Sequence, residues 1–317
     1  LLGLGRSFRV SGTRPLVRES SDELIVFGEL EDRGTLHRVG VSKRRQGKME
    51  IRVDGSRAAS AAELAGLLPL QLITPASHVL IEGGPKERRA FLDWGVFHVE
   101  HSFFRDWKNY QRALRQRNQA LKLGGSADAI RLWDRGLAQA GENMTRARTE
   151  YVRALRPVVE RFLNELLEGS AELLELSYLP GWNQETDLAT ALHSNLSKDQ
   201  RYGFTSVGPH RGDLRLRWGG RPATEQLSRG QQKLVVTTLK IAQMALLQEQ
   251  GGKSSVVLVD DLPAELDRNH RERFLRLLAS TGAQAFITAT EPDLVDLSSW
   301  PDHRTFHVEH GAITEVI

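Results

Sequence analysis

Over residues 1–57 apolar and polar positions alternate in short runs. Glu23-Leu24-Ile25-Val26-Phe27-Gly28, Leu36-His37-Arg38-Val39-Gly40-Val41 and Glu50-Ile51-Arg52-Val53 carry β-branched residues at strand spacing, and the last meets the turn Asp54-Gly55. The pattern predicts short strands. A helical stretch over 60–68 stops at Pro69, and Gln71-Leu72-Ile73-Thr74-Pro75 predicts a buried extended segment. From 85 to 203 the period becomes helical: Trp107, Leu114 and Leu121 recur every seven residues with Tyr110 and Asn118 beside them, a line that reads as core. Arg105, Lys108, Arg112 and Arg115 form a separate stripe. After a break at Gly124-Gly125 a second helical block runs from Leu132-Trp133 to Leu167. The apolar pattern never lapses, so this segment is a helical insertion and not a linker.

Strand alternation resumes at Asp213-Leu214-Arg215-Leu216-Arg217-Trp218 and closes at Gly219-Gly220. Helices around Leu234 and Phe274 then alternate with the apolar runs 256–259 and 285–288, and a terminal hairpin follows. That order predicts a parallel sheet with packed helices. The expected division is an α/β lobe made of residues 1–84 and 204–317, with a helical arm of residues 85–203 inserted between them. No internal repeat or low-complexity segment interrupts it.

The 317 residues, 40% hydrophobic and 26% charged, suffice for a sizeable core. No apolar run approaches the ~18 residues of a membrane span, and no secretory leader pattern is present. The chain has no cysteine, which removes disulfides, thiolate metal sites and cysteine nucleophiles, and fits a cytoplasmic location. Net charge is only +3, so basic excess is local. Lys43-Arg44-Arg45-Gln46-Gly47-Lys48 reads as a hairpin tip, and between Arg105 and Lys122 six basic residues stand against one acid, Asp106. Such patches either track a phosphate backbone or are plain solvated faces. No aromatic residues stand on the basic stripes themselves, so the expected contacts are to a nucleic-acid backbone, without base stacking.

The chemistry concentrates late in the chain. Val256-Val257-Leu258-Val259 predicts a strand buried on both faces, followed by Asp260 and Asp261 at its carboxyl end, where open parallel sheets place ligands. One Asp there can hold a hydrated Mg²⁺ bound to nucleotide phosphates and a second can orient a water, or the strand simply ends in a polar turn. Upstream, Leu227-Ser228-Arg229-Gly230-Gln231-Gln232 leads into a helix, with Ser228 and Gln231 at capping-box spacing. Free N–H groups, a hydroxyl and an unencumbered Gly230 suit a phosphate; an ordinary capped helix has the same features.

The order of these pieces resembles the ABC ATPases: signature, Walker B, then Ala264-Glu265-Leu266-Asp267 as the D-loop. Gly208-Pro209-His210-Arg211-Gly212-Asp213-Leu214, together with Gln71–Pro75, Gly83-Gly84-Pro85, Arg88-Arg89 and Phe91-Leu92-Asp93-Trp94, resembles the RecF branch along essentially the whole chain. Ala76 departs from it, standing where that branch usually has an acid. The resemblance implies an ABC-ATPase-like lobe with a mixed sheet plus the helical arm. It implies Asp260 on Mg²⁺ and Asp261 polarising water in slow hydrolysis of ATP. It further implies Ser228, Arg229, Gly230 and Gln231 on the γ-phosphate bound by a second copy, Asp267 at that homodimer seam, Gln71 in a Q-loop, and Thr290 at the switch position.

The implied role is DNA repair: ATP-dependent dimerisation on double-stranded DNA beside single-stranded gaps and junctions, in partnership with RecR and RecO, to load RecA. The candidate DNA contacts are Lys43, Arg44, Arg45 and Lys48 at the hairpin tip, and Arg105, Lys108, Arg112 and Arg115 on the arm. No Gly-x-x-x-x-Gly-Lys-Ser/Thr turn occurs: Gly252-Lys253-Ser254 has Leu247 where a glycine is needed, and Pro85 spoils Gly83-Gly84-Pro85-Lys86. The resemblance places that turn before a segment like Leu2–Arg9. With Leu1 as first residue, the expectation is that it precedes this sequence, that residues 1–317 bind ATP weakly or not at all, and that the lobe exposes apolar surface. Two other readings are a DNA-binding scaffold that never hydrolyses ATP and a transporter's nucleotide-binding subunit. The long arm, the Gly-Pro-His-Arg block and the missing switch His oppose the latter.

Overall fold

A computed structural model describes residues 1–5, 7, 16–46, 49–167, 169, 171–262, 266–300 and 302–316. The first sheet is antiparallel, with β1 (Glu23–Asp32), β2 (Thr35–Arg44), β3 (Met49–Val53) and β4 (Ser56–Arg57) in sequential order. Arg33 and Gly34 turn β1 into β2 with φ of 52° and 77°, the left-handed pair that a two-residue hairpin needs. Val39 and Val41 pack on Leu64 of α1 (Ala61–Leu67). On the other face of the sheet, Ile25 and Phe27 stay 68% and 60% exposed. β5 (Leu70–Ile73) follows as a buried strand.

After β5 come α2 (Val79–Glu82) and then the helices of the expected arm, α3 (Pro85–Val99), α4 (Phe103–Lys122), α5 (Ala127–Arg131) and α6 (Asp134–Leu166). Of the predicted line along α4, Leu114 and the neighbouring Tyr110 are buried in the core that α6 joins, Leu121 is buried with Ile130 and Leu196, and Trp107 is only partly buried. β6 (Leu174–Leu179) interrupts the helices before α7 (Leu188–Ser194) and α8 (Leu196–Tyr202). It pairs antiparallel with β7 (Asp213–Trp218), which pairs with β8 (Arg221–Pro222). The expected boundary at 203/204 therefore divides strands of one sheet, and a strand lies inside what the periodicity predicted as helical.

After α9 (Ala223–Gln226) comes α10 (Arg229–Gly251), then β9 (Val256–Val259), α11 (Arg268–Ser280) and β10 (Gln284–Ile287). The predicted parallel sheet is present, in the order β10-β9-β5, with Gln284 and Leu70 both level with Val256. Val257 and Val259 are buried but Val256 and Leu258 only partly, so β9 is not covered on both faces as expected. One continuous core joins this sheet, α10, α11 and the arm helices. β11 (Thr305–Glu309) and β12 (Ala312–Val316) form the expected terminal hairpin. Among the described residues no helix is long and apolar enough to cross a membrane.

Candidate functional site

The parallel register decides what surrounds the two aspartates. Ile73 and Ile287 flank Val259, so the residues just past three strand ends meet. Asp260 N–H donates to the Ile73 carbonyl at 2.8 Å, and Thr288 N–H donates to the Val259 carbonyl at 2.9 Å. The Thr288 hydroxyl accepts from Asp261 N–H at 2.9 Å and donates to Asp260 Oδ1 at 3.1 Å. One hydroxyl thus sets the positions of both acids. Asp261 has φ 56°, a left-handed conformation that costs a non-glycine residue about 1–3 kcal/mol and is characteristic of functional turns. Thr288, not singled out from the sequence, is the side chain that reaches the acids; Thr290 is exposed and shares in none of these bonds. Strand register carried the signal, since the residue after Ile287 must face the residue after Val259.

Gln71 lies elsewhere. It is 6% exposed and sits inside β5, with Nε2 donating to Gln243 Oε1 at 2.9 Å. Gln243 in turn donates to the Phe91 carbonyl at 2.9 Å. Its side chain is therefore not beside Asp260; it joins sheet, α10 and arm in one chain of bonds. Lys240 of α10 makes a parallel tie, donating to the Leu72 carbonyl, and burial holds its ammonium down to about 8. A buried lysine and two buried amides at this seam fix α10 against the strand that ends beside the aspartates.

Ser228 caps α10 as its spacing predicts: its hydroxyl accepts from Gln231 N–H at 3.3 Å, and Gln231 Oε1 accepts from Ser228 N–H at 3.0 Å. Ser228, Arg229 and Gly230 are exposed, and a Cβ added at Gly230 would meet nothing within 4 Å. About 18 Å of helix axis separates Ser228 from Lys240, where α10 passes the sheet. Asp267 caps α11, accepting from His270 N–H at 3.1 Å and pairing with His270 Nδ1 at 2.5 Å, bonds that hold its carboxyl below the usual range. Ala264 and Glu265 lie outside the described residues.

The basic candidates separate by environment. Arg105, Lys108, Arg112 and Arg115 are all exposed on one side of α4, as predicted. Arg117, counted with them from the sequence, is fully buried between Asp134 at 2.7 Å and Asp199 at 2.6 Å. At the hairpin, Arg44 is exposed and Lys43 half-buried; Lys48 and Gly47 lie outside the described residues. Arg45 is a correction: its guanidinium donates to the carbonyls of Arg18, Glu19 and Ser21 at 2.8 Å each, so it braces its own loop.

The blocks that carried the RecF resemblance meet in space. Arg88 binds Asp213 through two bonds of 2.7 and 2.9 Å, and Arg89 donates to the Gly212 carbonyl at 2.8 Å. Arg148 from α6 grips Asp93 through two bonds and donates to the Pro209 carbonyl at 2.8 Å. His210 lies between the Tyr110 hydroxyl at 2.6 Å and the Thr205 carbonyl at 3.0 Å. Since the carbonyl can only accept, Nε2 carries the proton and Nδ1 accepts from Tyr110. Burial holds His210 down to about 4, hence neutral. A Cβ at Gly181 would strike the Gly208 carbonyl at 2.3 Å, so only glycine fits where these segments cross.

The parallel sheet with its packed helices and the helices inserted into the chain give the fold of an SMC-type head. An Smc head bound to the C-winged helix domain of ScpA shares the fold at 14% identity, with a TM-score of 0.51 over 93% of this chain and 73% of that one. The RecF/RecN/SMC N terminal domain family matches residues 2–313. The "DNA replication and repair protein RecF" of Pseudomonas putida is 48% identical, and that of Shewanella denitrificans 43% identical, each over 99% of this chain and 86% and 87% of the relative. A solved RecF, described as a recombination mediator protein of the RecFOR pathway with ATP, superposes with a TM-score of 0.85 at 27% identity, covering 100% of this chain and 86% of that one. The chain belongs to the RecF family.

Proposed function

We propose that this protein serves DNA repair as an ATP-dependent homodimer on double-stranded DNA beside single-stranded gaps, acting with RecR and RecO to load RecA, with ATP hydrolysed slowly. The observation that carries this reading is the Asp260–Thr288–Asp261 arrangement at the carboxyl end of the parallel sheet. Mg²⁺ shared with nucleotide phosphates keeps several waters and needs only one or two carboxylates, which suits a site where no cluster of three acids or histidines forms among the described residues. Asp260, its carboxylate held by Thr288, would hold that ion. Asp261 would orient the attacking water and take its proton. When bound, ATP supplies the phosphoanhydride whose γ-phosphate the two chains share.

The end of α10 is exposed and remote along the helix from Lys240, which suits presentation of Ser228, Arg229, Gly230 and Gln231 to phosphates held by a second copy. The Asp267 cap on α11 would stand at the seam. Gln71, through Gln243, would transmit the state of the sheet to the arm. Thr288, bonded to both acids, would act beside Thr290 at the switch position. On the arm, Arg105, Lys108, Arg112 and Arg115 offer charge to a DNA backbone, and Arg44 and Lys43 add to it from the hairpin.

The alternative is a DNA-binding scaffold without hydrolysis. The test is ATP turnover and DNA binding by the protein expressed from its complete gene. Slow turnover abolished by Asp261→Asn, with ATP tightening DNA binding, supports the ATPase. DNA binding indifferent to ATP, with no turnover, supports the scaffold.

A further inference from the structure

The arm's basic stripe is longer than its spacing first suggested, and it ends at a pair of stacked rings. Arg105, Lys108, Arg112, Arg115, Gln119 and Lys122 follow one another at intervals of three and four residues on α4, and all are exposed. At 1.5 Å per residue this row is about 25 Å long, the length of about seven nucleotides along one strand of a duplex. The only acid on α4 is Asp106, and it is 9% exposed. Arg112, Arg115 and Lys122 make no ion pair among the described residues.

At the far end of the row, Gly203 lies against Lys122, close enough that a Cβ there would touch the Lys122 Cγ at 3.8 Å. On either side of Gly203 stand Tyr202 and Phe204, 56% and 39% exposed, their rings stacked with centroids 5.8 Å apart and planes 18° apart. The Arg211 guanidinium lies over Phe204 at 5.4 Å. Lys198 and Arg201 are exposed beside them, and the one acid between residues 196 and 211, Asp199, is fully buried against Arg117. An exposed pair of large rings among unopposed cations leaves apolar faces in water that an isolated fold has no reason to keep.

The rings are also held still. Arg117 binds both Asp199 and the Thr205 hydroxyl, at 2.6 and 2.9 Å. Asn118 accepts from Thr205 N–H at 2.8 Å and from its hydroxyl at 2.7 Å, and Ser206 N–H donates to Asp199 at 2.9 Å. His210 closes the loop on the Thr205 carbonyl. A surface side-chain pair set on a loop tied down at Asp199, Thr205, Ser206 and His210 loses less entropy when a flat ligand stacks on it than one on a free loop.

We propose that Tyr202 and Phe204, with Arg211, form a stacking site for the first unpaired bases of a nucleic acid whose duplex backbone lies along α4. The inference rests on the reading of the arm as a DNA surface and adds to it the place where single strand begins. Every base has a π-face, so the site reads strandedness and not sequence. Trp107 and Tyr110 fall between the stripe's cations in sequence but belong to the apolar line, one half-buried and the other buried; the rings of Tyr202 and Phe204 arrive from about 80 residues further along the chain, through the contact of α8 with the end of α4.

The test compares a blunt duplex with the same duplex carrying a single-stranded tail whose first unpaired nucleotide is 2-aminopurine, with ATP and Mg²⁺ present. Wild type is expected to bind the tailed duplex roughly tenfold tighter and to quench the 2-aminopurine. Tyr202→Leu with Phe204→Leu should abolish that preference and the quench while leaving blunt-duplex affinity and thermal unfolding unchanged. Arg112→Ala with Arg115→Ala should weaken both DNAs alike. A tail preference and quench that survive the double leucine change overturn the stacking site and leave the rings to a protein partner, while duplex binding still upholds the reading of the arm. Wild type that binds neither DNA overturns that reading, and the stacking site with it.

Discussion

The arm junction and the carboxyl end of the parallel sheet are built on opposite plans. At the junction, Arg88 and Arg148 are each held by a carboxylate and a carbonyl, with side chains 14% and 3% exposed, and inside the arm Arg117, 0% exposed, lies between Asp134 and Asp199. At the sheet end, Asp260 and Asp261 are only partly buried and share one threonine hydroxyl. Blocks that carry the RecF resemblance, Arg88, Asp93, Pro209 and Asp213 among them, thus hold the arm to the lobe through buried bonds, whereas the two aspartates lie at a more open edge. Deeply buried ion pairs fix architecture, whereas carboxylates at the open end of a parallel sheet stand where ligands bind.

The comparison breaks most sharply with substitutions in the two regions. Arg117→Met strands Asp199, fully buried, and should cost about 3–5 kcal/mol in urea unfolding. Asp261→Asn should change stability by no more than about 1 kcal/mol while reducing ATP turnover roughly 100-fold or more. Equal unfolding costs in the two variants would remove the distinction.

Next in size is the response to acid. Burial holds both His98 and His210 down to about 4 from 6.5. Between those values the unfolded chain takes up protons that the folded chain refuses, so stability falls as pH drops through that window and is fully present above it. Each histidine contributes up to about 3 kcal/mol, and His210→Gln should flatten the pH profile measured by denaturant titration. A profile as steep in the variant as in wild type would place the titration elsewhere.

Smaller effects sharpen the sheet end itself. Ser228→Ala removes a helix cap and should cost about 1 kcal/mol. Thr288→Val removes the hydroxyl shared by the two aspartates. It too should cost about 1 kcal/mol, with turnover reduced far more than stability, whereas Thr290→Val should leave stability unchanged. Paired thermal melts and turnover assays read all three.

Much of this was legible in the sequence, and the failures have physical causes. The parallel strands, the capping box and the heptad line of α4 follow from periodicity and local hydrogen bonding, which neighbouring residues determine. Arg117 was misplaced among surface cations although it falls seven residues after Tyr110, on the buried line. β6 was missed because Leu174-Glu175-Leu176-Ser177-Tyr178-Leu179 is too short to oppose the helical pattern around it. Thr288, the bracing of Arg45 and the union of Tyr202 and Phe204 with Lys122 depend on contacts between distant segments, which no local pattern contains.

The central claim is that the nucleotide site is shared: Asp260 from one chain, Ser228 from another. It is tested most directly by mixing two variants of the protein expressed from its complete gene, Asp260→Asn and Ser228→Arg, each inactive alone. If the site spans two chains, a mixed dimer contains one intact site, and ATP turnover reappears on mixing. If mixing restores nothing while both variants remain folded and able to exchange subunits, Asp260 and Ser228 do not complete each other's site, and the shared-site account is wrong.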